Sequence, residues 1–178
     1  MSAIDGVETR ASVAAESVTA EPVTAESFAP FGRVLPMSNG PHEALVLTAG
    51  DGWDDAYTRS PITREVPSLG MTSAPAAPYA STFMERHVNI EEALLPAGHP
   101  IVLAVASTGE GEAPRAEDVR AFVIEPGTAV VLHPGVWHDA CRGLGEPTSY
   151  YWLASCVDAG SSPWTPIVGG PVAVGVPA

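Results

Sequence analysis

Proline and glycine cut this chain at intervals too short for long helices, and that punctuation constrains its fold more than any other feature. Eighteen Pro and seventeen Gly are spread over 178 residues. Proline removes a backbone donor and breaks a helix interior, while Pro-Gly pairs mark tight turns. Turn signals fall at Pro75, Pro78, 96–98, 109–114, Pro126-Gly127, Pro134-Gly135 and 143–147. The short apolar runs between them, at 44–48, 68–73, 81–87, 101–107, 119–124, 128–132, 136–141 and 149–156, read as strands. Short helices are expected at 25–28 and 89–95. Many short strands with frequent turns argue for an all-β sandwich or barrel.

Forty-six per cent of the residues are hydrophobic, mostly Ala and Val, which is enough for one core built from small side chains. The expected organisation is a mobile tail over 1–20, one barrel domain over 21–157, and an extended Gly/Pro-rich strap over 158–178. The formal net charge is −13, and all eight cations are Arg. Such a surface repels phosphate backbones and anionic lipid, so nucleic acid and membranes are set aside as partners. An anionic substrate needs a local Arg to overcome the field. No apolar stretch has the length of a membrane span or the flanks of a secretory signal, so a cytoplasmic protein is expected. Cys141 and Cys156 lack metal-ligand spacing and read as small apolar strand residues.

The stretch from Glu125 to His138, EPGTAVVLHPGVWH, holds the most chemical information. It reads as a turn, an apolar strand, a second turn, and a returning strand that carries His138 inward. The stretch from Phe83 to Glu92, FMERHVNIEE, supplies the rest. Glu85 and His87 are two apart and share a strand face, from which Arg86 points away. Glu91, Glu92 and Gly98 follow. Together the two stretches resemble the paired cupin signatures, with Glu85 in place of the first His and His133 where a Pro is usual. The resemblance implies a double-stranded β-helix, or jelly-roll, barrel. Inside it, Glu85, His87, Glu92 and His138 are expected to converge.

Mixed His and carboxylate ligation suits Ni, Mn, Fe or Zn, which makes His87, Glu92 and His138 the candidate metal ligands. The alternative for each acid is a solvated face, and for each His a satisfied polar residue. Trp137 is either a cavity wall or core. Tyr150 and Trp152, two apart on one strand, are expected as packing.

Four further features resemble the ureidoglycolate lyase family more narrowly. They are the opening TAESFAPFG at 24–32, Glu85-Arg86-His87, Val119-Arg120-Ala121-Phe122, and His133 with Val136-Trp137-His138. The likeness covers roughly 22–157. It implies a dimeric cupin-type enzyme of allantoin (purine) catabolism, a carbon–nitrogen lyase that splits ureidoglycolate into glyoxylate and urea. On that basis His133, His138, His87 and Glu85 are expected to carry the catalysis, with Arg86, Arg120 and Trp137 binding a small anionic substrate. Two departures stand out. The family places Gln where this chain has Glu92, and it has a second His followed by Pro-Leu where this chain has Asp139-Ala140-Cys141. They leave two other readings open, a metal-dependent cupin enzyme such as a dioxygenase or isomerase, and a non-catalytic cupin that binds a small molecule.

Overall fold

The computed structural model describes residues 16–38, 40–63, 66–107, 111–155 and 164–178. Two antiparallel-dominated sheets face each other as a jelly-roll barrel. One runs in the order Gly32–Leu35, Ala129–Leu132, Glu92–Pro96, Thr148–Ala154, Ser68–Ala74. The other runs Glu21–Pro22, Val119–Ile124, Ile101–Ala106, Arg142–Leu144, Ala76–Ala77, with Trp137–His138 also paired to Ile101–Ala106.

Alternation along the strands sets what lies between the sheets. Ile101, Leu103 and Val105 point inward, meeting Phe122, Ile124, Val130, Leu132 and Leu94. Val102, Ala104 and Ala106 point outward, yet they too are buried. The cover on that side is a third sheet, in which Val172–Gly175 lies between Ser17–Thr19 and Tyr79–Ser81. Because both faces of Ile101–Ala106 are covered, its sequence is a continuous apolar run rather than an alternating one. Ser17–Thr19, inside the segment read as a tail, and Val172–Gly175, inside the segment read as a strap, are therefore paired strands of this cover.

The helix expected at 25–28 is present as Ala25–Phe28, with Thr24 as its cap accepting from the Ser27 amide at 3.0 Å. Phe28 packs edge-on against Phe122, their ring centroids 5.2 Å apart. The helix expected at 89–95 is not formed. Glu92–Pro96 is a central strand, paired on one side with Ala129–Leu132 and on the other with Thr148–Ala154. Glu-Glu-Ala-Leu-Leu favours a helix in isolation, but two flanking strands satisfy its backbone on both sides and bury Ala93 and Leu94.

The two Pro-Gly turns have one geometry. Gly127 and Gly135 adopt φ of 83° and 85°, and the amides of Thr128 and Val136 donate back to the carbonyls of Glu125 and His133 at 3.1 and 3.2 Å. Proline followed by a positive-φ glycine is the type II turn, whose third position only Gly occupies without strain. The second of these turns sends the chain back into the barrel at Val136 and delivers His138 to its mouth.

Candidate active site

Three stretches of chain build the site. Glu85 and His138 sit opposite each other on neighbouring segments, exchanging both backbone hydrogen bonds at 2.9 Å. Directly paired residues present their side chains to the same face. The His87 carbonyl accepts from the Gly135 amide at 2.7 Å, tying the 83–87 segment to the second Pro-Gly turn. Glu92 opens the central strand and is held opposite Leu132.

These placements gather two imidazoles and two carboxylates. Glu92 Oε2 lies 3.0 Å from His138 Nε2 and 3.2 Å from His87 Nε2. Glu85 Oε1 stands 3.8 Å from His138 Nε2. The two imidazole rings are 5.4 Å apart at 44°. His138 Nδ1 is 3.2 Å from the Val136 carbonyl. That contact places the ring proton on Nδ1 and turns Nε2 toward the acids.

Burial works against the charged form of Glu92, yet the charges of His138 and His87 beside it outweigh burial and hold its carboxyl down at about 2. Burial likewise opposes a charged His138, but the adjacent Glu92, and then Glu85, raise its pKa above the ordinary imidazole value. Without a further ligand, the pair is a buried ion pair.

The pair is nevertheless poorly satisfied. Glu92 Oε2 and His138 Nε2 are buried and approach closely, but neither has a partner in hydrogen-bond geometry. Buried orphans of this kind call for a missing partner. Two ligands about 2.1 Å from one ion, at right angles to each other, stand about 3 Å apart. The separations around Glu92 Oε2 match that figure. Glu85, His87 and His138 can each bring one ligand atom within 4.8 Å of the others. The residues therefore fit a divalent cation held by nitrogen and oxygen, the donor set of Ni, Mn, Fe or Zn.

A cavity of about 330 Å³ opens above these groups. Glu85, His87 and Ala140 line it from the segments around the second Pro-Gly turn, and Glu92, Thr72, Tyr150, Trp152 and Ala154 line it from the five-stranded sheet, with Ser155 and Trp164 completing it. Tyr150 and Trp152, expected as packing, thus line the cavity as well. Gly70 makes room for Trp152: the two are paired across strands, and a Cβ on Gly70 would come within 2.0 Å of the indole ring.

The remaining expected residues lie elsewhere. His133 is exposed at the first position of its turn, and it closes the chain through its backbone, donating to the Phe31 carbonyl at 2.9 Å. Strand alternation turns Arg86 away from Glu85 and His87, and its guanidinium lies 4.3 Å from the centre of the Trp137 ring. Trp137 itself is core beneath the third sheet. Arg120 pairs with Glu21, donates to the Ser27 carbonyl at 3.1 Å and lies over Phe122, holding the N-terminal strand in place. The bidentate Arg expected to hold the substrate is therefore not part of this cavity. Trp164 went unnoticed in the sequence because it follows Ser-Ser-Pro in a stretch without strand periodicity. Cys141 is buried and free, and Cys156 lies outside the described residues.

A jelly-roll barrel with two imidazoles and two carboxylates at its mouth defines a cupin-type protein whose site residues fit a mixed nitrogen–oxygen donor set. Among solved structures, the chain is similar to a TDP-quinovose 3,4-ketoisomerase from Campylobacter jejuni, at 9% identity and a TM-score of 0.47 over 68% of this chain and 88% of that one. Sequence comparison is more specific. The profile of the ureidoglycolate lyase family matches residues 15–162, and the chain belongs to that family. A ureidoglycolate lyase of Pseudomonas savastanoi pv. phaseolicola is 32% identical over 124 residues, covering 66% of this chain and 71% of its own. One from Rhodobacter capsulatus is 32% identical over 139 residues, covering 76% and 84%.

Proposed function

We propose that the protein is a ureidoglycolate lyase that releases urea from ureidoglycolate and leaves glyoxylate. The observation that carries this is the convergence of Glu85, His87, Glu92 and His138 at one end of the barrel of a chain from this family.

The reaction needs one proton moved over a short path. The substrate carbon bears a hydroxyl, a carboxylate and the urea nitrogen. Removing the hydroxyl proton lets the C–O bond become a carbonyl as the C–N bond breaks. The bonding pair leaves on nitrogen, which takes up a proton to become urea, so atoms and charge balance. His87, Glu92 and His138 would hold the divalent ion. When bound, such an ion supplies positive charge that draws electron density from the substrate's oxygens. Glu85 is then the proton carrier: it is less buried than Glu92, it faces the cavity, and its carboxylate can accept the hydroxyl proton and return it to nitrogen. Tyr150, Trp152 and Ala154 wall the cavity beside the breaking bond.

Among the described residues none that lines the cavity is Arg, and two of them are acids. A small anionic substrate therefore needs the ion, or protonated imidazole, to hold its carboxylate against the chain's net charge of −13. No helix among the described residues is long and apolar enough to cross a membrane, and we take the enzyme to act in the cytoplasm as a homodimer. The outer face of the five-stranded sheet supports the dimer, because Leu69 and Met71 on the edge strand Ser68–Ala74 and Tyr151 on its neighbour are exposed there.

The test is a glyoxylate-release assay with ureidoglycolate, run after chelation and again with Ni, Mn, Fe or Zn restored. Turnover that depends on one of these ions supports the reading. Turnover absent under every condition rejects it.

A further inference from the structure

The family match ends at residue 162, but the cavity does not. Trp164 lines it, and the segment that follows is anchored to the strand carrying the catalytic acid. Thr165 pairs with Met84 and Pro166 with Phe83 in antiparallel register, and the Ile167 amide donates to the Thr82 carbonyl at 3.0 Å. One more step along that register sets Trp164 opposite Glu85. Glu85 is thus flanked on one side by His138 and on the other by Trp164. Residues directly opposed in an antiparallel pair share a face, which accounts for both Trp164 and Glu85 reaching the cavity. Further on, Val172–Gly175 is fixed between two strands of the covering sheet, so Trp164 does not hang from a loose end.

The cavity therefore offers two kinds of surface. Glu85, His87 and Glu92 supply ionic groups to it, and Trp152 and Trp164 supply aromatic ones, with Trp164 set beside Glu85. Trp164 is 44% exposed, so its ring is free to take a contact. A flat, uncharged amide group is the class of ligand that gains from an indole face while needing no counter-charge.

We propose that Trp164, on a segment beyond the family match, is a specificity-determining residue of this enzyme: beside Glu85, and with Trp152, it receives the planar urea end of the substrate while the imidazoles and the ion they would hold take the carboxylate end. This rests on the lyase reading for the identity of the two ends. It gives the C-terminal segment a part in choosing the substrate as well as in covering the barrel.

Binding of an inert analogue tests this apart from turnover. N-carbamoylglycine has the urea and the carboxylate but lacks the hydroxyl that cleavage requires. Oxalate has only the anionic end. The affinities of both are measured by calorimetry on the full-length, nickel-supplemented protein and on Trp164→Leu and Trp164→Phe, with thermal unfolding as the check on folding. Trp164→Leu keeps apolar bulk and removes the ring. It should weaken N-carbamoylglycine about five- to tenfold, the scale of one lost aromatic contact, and leave oxalate within twofold. Trp164→Phe should restore most of the loss. Equal losses for both ligands, or no loss for either, overturn the proposal, as does native protein that fails to bind N-carbamoylglycine. If glyoxylate release is absent but the ratio of the two affinities still responds to residue 164, the reaction is wrong and the aromatic contact stands.

Discussion

Replacing Glu92 by Gln tests the electrostatics of the site without changing its shape. In the metal-free protein the Glu92 carboxyl falls from 4.5 to about 2. At about 1.4 kcal/mol per pKa unit, that is of order 3 kcal/mol favouring the native state when Glu92 is ionised, an upper bound because the same charges are shared with His138. The sign follows from both partners. Glu92 has a depressed native pKa, so its contribution is present above pH 4.5 and fades as pH falls toward 2. His138 has a raised native pKa, so its contribution is present below the ordinary imidazole value near 6.5 and fades as pH rises through the native value. Chelated native protein should therefore be most stable between those limits. Urea denaturation of chelated Glu92→Gln should show a deficit of up to about 3 kcal/mol near pH 5.5 that shrinks as pH rises through the raised pKa of His138, where the imidazole charge that the carboxylate balances is lost. A deficit of the same size at every pH would refute the reasoning, because it would mean that Glu92 acts through packing rather than charge.

Other substitutions separate the roles of the remaining residues. Glu85→Gln should lower glyoxylate release by at least about 100-fold while one equivalent of metal still binds, read by dialysis and metal analysis. Gly70→Ala should displace the Trp152 ring and raise KM for ureidoglycolate several-fold with little change in metal binding, since the added Cβ meets the indole and not the acids. Arg120→Leu should leave KM unchanged and lower Tm, because Arg120 holds Glu21 and Ser27 at the N-terminal strand. A steep rise in KM there would return Arg120 to substrate binding.

Much of this was legible in the sequence, for physical reasons. The two Pro-Gly turns required positive φ at Gly127 and Gly135, and both have it. Period-two spacing put Glu85 and His87 on one face and Arg86 on the other. The strand Val119–Ile124 and the helix Ala25–Phe28 lie where they were expected. What failed depended on distant partners. Glu92–Pro96 has helical composition, and only its two neighbouring strands make it extended. Arg120 looked like a carboxylate clamp because the sequence does not reveal that Glu21, ninety-nine positions away, already occupies it. His133 sat at a signature position but serves the turn through its backbone. Trp164 lacked any periodic context, and its value comes from pairing with the strand before Glu85.

The central claim is that segments around residues 87, 92 and 138 hold one divalent ion between them. X-ray absorption of nickel-loaded protein, with stoichiometry taken on the same sample, tests it most directly. The account predicts one ion per chain in a nitrogen–oxygen shell that includes imidazole, and loss of that shell in His87→Ala and in His138→Ala separately. Nickel bound through sulfur, or bound unchanged in both variants, would contradict it.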